Sequence, residues 1–277
     1  MRRAWHLVLT WATQTALCVT ISCAAGIAWA GPPYLTDDPE PVPYHHWELY
    51  TFATRDQTRS TNIVNGPALE LNNGVAPNTQ LHLIIPETYF SQDGMSARGL
   101  GDIEAGVKYR FLGETKGRPE IGTFPQVELP TGDQPRGLGN GRTWVKVPIW
   151  LQKSFGPWTT YGGGGYSYNP APGQRNYGYG GLLIQRTLSP RLTLGGEVFF
   201  QGAQVDNPES GATGSAGTSS LGLQVAGARP SALWNFGGSY HFTPDLSLLF
   251  TAGHSFQGDG NAIMYLGLYR TWGPGAP

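Results

Sequence analysis

Side chains of a β-strand point alternately to opposite faces, so a sustained period of two identifies a strand and sorts its residues into two sets. Residues 98–112, RGLGDIEAGVKYRFL, carry this period plainly: Ile103, Ala105, Val107, Tyr109 and Phe111 share one face, and Asp102, Glu104, Gly106, Lys108 and Arg110 share the other. In a soluble sheet the charged face meets water; in a transmembrane barrel the apolar face meets lipid and the charged face lines the lumen. The same stretch excludes two nucleotide motifs. A phosphate loop needs Lys directly after its second Gly and then Ser or Thr, whereas Val107 intervenes and Tyr109 follows. A dinucleotide fingerprint fails because Glu104 stands where the third Gly belongs.

The period recurs along the chain. Val145, Val147, Ile149 and Leu151 oppose Lys146 and Gln152; Leu192, Leu194, Val198 and Phe200 oppose Thr193, Glu197 and Gln201; Leu246, Leu248, Phe250 and Ala252 oppose Ser247, Thr251 and Ser255. Twelve strands are predicted, over 44–56, 66–75, 79–90, 100–112, 119–131, 143–155, 157–168, 175–187, 190–203, 231–242, 245–256 and 261–272. Connections after the even strands are mostly tight (Pro77-Asn78, Gly156-Pro157, Ser189-Pro190, Thr243-Pro244), and those after the odd strands are mostly longer, up to 205–230. Short turns at one end and long loops at the other are the signature of an outer-membrane barrel with its short turns periplasmic. Mean hydropathy is −0.27 and no apolar run long enough for a membrane helix follows the first 30 residues. A barrel strand needs only alternate apolar residues, so this does not argue against a membrane.

Residues 1–30 read as a cleaved export signal: Arg2 and Arg3, an uncharged apolar stretch, then Ala28-Trp29-Ala30 before Gly31. Both cysteines, Cys18 and Cys23, lie within it, so the exported chain has no disulfide to lean on. Two of the 18 basic residues also lie there, leaving 16 against 19 acidic residues and a formal charge of −3. No basic stripe points to nucleic acid. Residues 31–43, GPPYLTDDPEPVP, read as an irregular periplasmic segment with Asp37, Asp38 and Glu40 solvated, and 44–277 as the barrel.

The segments ALELNNGVAPNTQLHLIIP (68–86), GLGDIEAGVKYRFL (99–112), VELPTGD (127–133) and GLGNG (137–141) together resemble the bacterial family named for the MetA pathway of phenol degradation. The resemblance extends more weakly to the end of the chain. It implies an outer-membrane barrel associated with uptake of aromatic compounds, and it implies no catalytic residue.

In the barrel register Glu70, Asp102, Glu104, Lys108, Arg110, Glu128 and Lys146 point inward, with Trp144 and Trp150 beside them as solute-contacting aromatics. Two readings stand: a polar track that selects solutes, or a structural network that fills the lumen, since twelve strands enclose less space than an open porin. Gly99 and Gly101 before the fourth strand, and Gly137 and Gly139 before the sixth, form a repeated rim motif expected to need positive φ. Trp47, Trp158, Trp234 and Trp272 fit an interfacial girdle. Enzyme readings are weak: His254 and Ser255 are adjacent on a strand and face opposite ways, His241 with Ser255 is unmarked, and His46 with Glu48 gives only a faint metal signal. No cofactor or metal is expected. The expected partners are outer-membrane lipid, a small-molecule solute and the barrel-assembly machinery. The rivals are a plugged barrel working through its 205–230 loop and a soluble β-sandwich.

Overall fold

The computed structural model describes residues 33–205 and 227–274. The expected export signal and most of the 205–230 loop lie outside them. Fourteen strands run in order: β1 (Trp47–Gln57), β2 (Thr61–Ala76), β3 (Thr79–Gln92), β4 (Met95–Leu100), β5 (Ile103–Leu112), β6 (Glu120–Thr123), β7 (Gln126–Leu129), β8 (Trp144–Phe155), β9 (Trp158–Tyr168), β10 (Tyr177–Ser189), β11 (Leu192–Gln201), β12 (Ser231–Thr243), β13 (Leu246–Gln257) and β14 (Ala262–Trp272). They make twelve staves. β4 and β5 both pair with β3 and form one stave interrupted at Gly101-Asp102; β6 and β7 form another, interrupted at Phe124-Pro125. Every neighbouring pair is antiparallel, and β1 closes on β14 from Trp47↔Trp272 to Gln57↔Ala262. Closure gives every stave a laddered neighbour on both sides, with β4 paired to β3 alone, and ring closure is what a sheet in hydrocarbon requires.

Polarity is inverted relative to a soluble protein. Leu81, Leu83, Ile85, Val147, Ile149 and Leu151 are exposed on the outside, and Phe236 is 66 % exposed, while Glu104 and Glu128 are each 0 % exposed. Within β3 the blurred run Leu83-Ile84-Ile85 resolves cleanly, because Ile84 alone points inward and is buried with Ala68 and Phe124. Trp47, Trp158, Trp234 and Trp272 are all exposed near strand ends, and Trp47 stacks on Trp272 with ring centroids 6.4 Å apart.

Three expectations are corrected. The first two long-loop connections are tight. β2 begins at Thr61, and β3 turns into β4 through Asp93-Gly94, whose φ values of 49° and 83° suit a primed hairpin turn. Gly99 therefore sits within a strand. Of the four rim glycines only Gly137 has positive φ, at 78°. The others are needed for space: a methyl on Gly139 would strike the Asp102 carboxylate, one on Gly101 would strike Thr88, and one on Gly99 would crowd Leu138.

The third correction concerns residues 33–43. They are irregular, as expected, yet they run inside the barrel. Leu35 and Thr36 donate their backbone N–H groups to Glu197 of β11 at 2.9 and 2.8 Å, Thr251 of β13 donates to Pro33 O at 2.9 Å, and Val42 N–H donates to Gln80 of β3 at 2.9 Å. Asp37 and Asp38 are buried rather than solvated. The wall is carved to receive this segment. A side chain on inward-facing Gly181 would collide with Thr36, one on Gly195 would lie 2.9 Å from the Tyr34 hydroxyl, and one on Gly122 would lie 2.9 Å from Pro39 O.

Candidate functional site

The inward polar residues of half the barrel join into one belt at a common level. Cross-strand register sets it up: Glu128 lies opposite Glu104, Asn72 opposite both His82 and Glu48, and Tyr50 opposite both Glu70 and Tyr269. Residues directly across a ladder approach within side-chain reach, so the belt follows from register alone. Starting at β8, Lys146 Nζ donates to Glu104 Oε2 at 2.8 Å and to Glu128 Oε1 at 3.5 Å. Gln126 donates to Glu104 Oε1 at 3.2 Å. Glu104 Oε1 lies 3.0 Å from His82 Nε2, and His82 Nδ1 lies 2.7 Å from Asn72 Oδ1. Asn72 donates its amide to Glu70 Oε1 at 2.8 Å. At the far end Tyr50 and Tyr269 donate to the two oxygens of Glu48 at 3.1 and 3.0 Å.

Asn72 turns its NH₂ toward the Glu70 carboxylate and its oxygen toward His82 Nδ1. His82 Nε2 lies against a carboxylate oxygen of Glu104, so the imidazole bridges the two halves of the belt.

A second group anchors the internal segment. Lys108 Nζ bonds Asp37 Oδ1 at 3.1 Å and Asp38 Oδ1 at 3.0 Å, and sits 5.0 Å from the Phe124 ring centroid. Arg110, at the short-turn rim, adds a longer contact to the segment, 3.8 Å to Glu40. It is half-exposed, donates to Asn78 Oδ1 at 2.8 Å and pairs with Glu120 at 3.4 Å.

Asp102 also stands apart from the belt. Its two oxygens accept the backbone N–H groups of Gly132 at 2.9 Å and Asn140 at 2.6 Å, and Thr131 donates to Gly101 O at 2.8 Å. The sequence echo RGLGD/RGLGN is thus one docking unit in which the loop between β7 and β8 folds back against the interrupted β4–β5 stave. Leu138 completes it by packing with buried Ile63 and Phe90.

Trp144 and Trp150 face inward as expected, with Lys146 Nζ 5.1 Å from the Trp144 ring centroid. Sequence reading missed the companions of Trp150. Tyr179 lies 6.4 Å from it, and Phe199 and Tyr177 lie 6.2 and 6.3 Å from Tyr179, giving an aromatic panel across β8, β10 and β11. The signal was available: Tyr177 and Tyr179 alternate on the face that also carries Gln185.

The weak catalytic pairings do not assemble. His241 Nδ1 contacts Ser247 at 2.7 Å rather than Ser255, with no carboxylate in hydrogen-bond reach of the ring. Glu48 turns into the belt, while His46 Nδ1 contacts Tyr44 O at 3.1 Å. Among the described residues no three metal-ligating side chains cluster.

No family model matches the chain, and no curated protein matches it. Solved structures do. A COG4313 outer membrane channel from Pseudomonas putida F1 superposes over 85 % of this chain and 98 % of its own, with a TM-score of 0.61 at 16 % identity. The NanC porin covers 80 % of this chain and 98 % of its own at a TM-score of 0.53 and 9 % identity. The translocator domain of the autotransporter NalP from Neisseria meningitidis covers 81 % and 88 % at 0.50 and 11 % identity. At these identities the likeness establishes the fold: a twelve-stave barrel of the outer-membrane type.

Proposed function

We propose that this chain is an outer-membrane, porin-like channel for passive or facilitated uptake of small molecules, aromatic compounds among them. One observation carries the reading: a closed barrel that is apolar outside encloses a continuous hydrogen-bonded polar belt facing an aromatic panel. Such a lumen offers a solute both polar exchange partners and stacking surfaces, the two elements from which pore selectivity is built. A functional parallel is the COG4313 protein, itself described as an outer membrane channel. Membership in the MetA phenol-degradation family, export by a signal cleaved before Gly31, and insertion by the barrel-assembly machinery complete the proposal.

A second reading has an observation of its own. Leu35 of the internal segment joins a lumen core with Phe52, Trp150, Phe199 and Tyr265, so the barrel interior is substantially filled. On that reading the barrel is structural and closed. Liposome swelling with sugars and phenols, run on the full chain and on a variant lacking 33–42, separates the two. Swelling by the full chain, increased in the shortened variant, supports a channel narrowed by its own segment. Swelling by neither, with both correctly folded, leaves the structural barrel.

A further inference from the structure

The charge inside the barrel is lopsided. Among the described residues ten Asp and Glu side chains are buried, against two lysines and no arginine, and counting His82 as a cation makes it ten to three. Both lysines are spent on carboxylates already described, Lys108 on Asp37 and Asp38 and Lys146 on Glu104 and Glu128. Of the other six, Glu48 and Glu70 share the Asn72 amide and have no lysine or arginine within salt-bridge distance, and His82 Nδ1 lies 3.5 Å from Glu70 Oε1. Glu70 is 3 % exposed, and its Oε2 has no hydrogen-bond partner. The neighbouring Tyr265 hydroxyl is likewise buried without a partner, and Gly267 keeps the space beside it open. Aromatic rings adjoin the pair: Tyr50 and Tyr269, 4.6 Å apart, give their hydroxyls to Glu48, and Phe52 stacks on Tyr265 at 5.2 Å.

A carboxylate pair in a low-dielectric lumen with this excess of acidic side chains holds a negative potential that attracts cations and repels anions. Aromatic faces next to it stabilise a positive charge further, and suit an organic ammonium ion better than a tightly hydrated one. We infer that the passage discriminates by charge, favouring small organic ammonium ions over carboxylates of the same size, with Glu48 and Glu70 as the selecting residues. This rests on the channel reading above.

Reversal potentials in planar bilayers test it, first in asymmetric KCl, then with benzylammonium replacing potassium and benzoate replacing chloride. The wild-type protein is expected to pass K⁺ over Cl⁻ and benzylammonium over benzoate. Glu70→Gln, which keeps every hydrogen bond the side chain now makes, is expected to reduce the cation preference by about half, and Glu48→Gln with Glu70→Gln to abolish it. Heat-modifiable gel migration checks that each variant is folded; where the double variant does not fold, wild type and Glu70→Gln decide. Anion preference in the wild type overturns the inference while leaving the channel reading intact, and so does a cation preference unchanged in folded Glu70→Gln. Absence of any conductance overturns the channel reading, and the inference falls with it.

Discussion

Glu104 shows how much a single inward residue can hold. It binds Lys146, His82 and Gln126 at once and is fully buried. Replacing it by Gln leaves Lys146 with one distant carboxylate, and a buried ion pair broken on one side costs about 3–5 kcal/mol. Glu104→Gln should therefore lower the urea midpoint of the folded barrel in liposomes substantially. Glu87→Gln, which removes an exposed cross-strand partner of Arg98, should leave that midpoint unchanged because water already screens both groups. Equal midpoints for the two variants would show that the belt does not stabilise the barrel.

Between strands, the loop joining β7 to β8 is held by one side chain. Asp102 satisfies two backbone N–H groups that would otherwise be orphaned near a buried surface, and hydrogen bonds to a charged acceptor are worth roughly 1.5–3 kcal/mol each. Asp102→Ala should undock the loop and speed tryptic cleavage after Arg136 and Arg142, both already exposed. A cleavage rate equal to wild type would show that Leu138 alone suffices. Elements of this kind mark what the sequence disclosed and what it hid. The alternation located each stave, and its lipid face where the period was clean, because a one-residue slip would turn leucines into the lumen and glutamates into lipid. The Asp93-Gly94 turn carried a standard hairpin dipeptide but was read as a long loop, and Pro125, which cannot donate to a ladder, was read through as unbroken strand. The docking of RGLGD on RGLGN was visible only as an echo, because repetition does not say that two copies touch. The destination of residues 33–43 was hidden for a different reason. Prolines and acids without a period read as solvated chain, and the cation that draws them in, Lys108, lies about 70 residues further on. A hint remained in Gly122, Gly181 and Gly195, bare positions on lumen faces otherwise filled by polar side chains.

As a whole molecule the barrel depends on closure. β1 and β14 pair over eleven consecutive positions, and no disulfide reinforces the seam. With the staves laddered around a closed ring, SDS alone should not open it. The protein should migrate faster unheated than boiled, as closed barrels do and a β-sandwich does not. Identical migration in both states would exclude a membrane barrel.

The berth cut for residues 33–43 also imposes an order in time. Pro33 is tied to Thr251 and Leu35 to Glu197, contacts that span 218 and 162 residues of chain. The earliest described residues can therefore settle only after some of the latest strands have been laid down, since long-range pairing waits on the elements it joins. Either the ring closes around a segment already threaded, or the segment enters a finished ring through its short-turn mouth. In the second case a newly inserted barrel passes through a hollow stage before the mature one, and a pore that is widest at birth and tightens with age is the consequence.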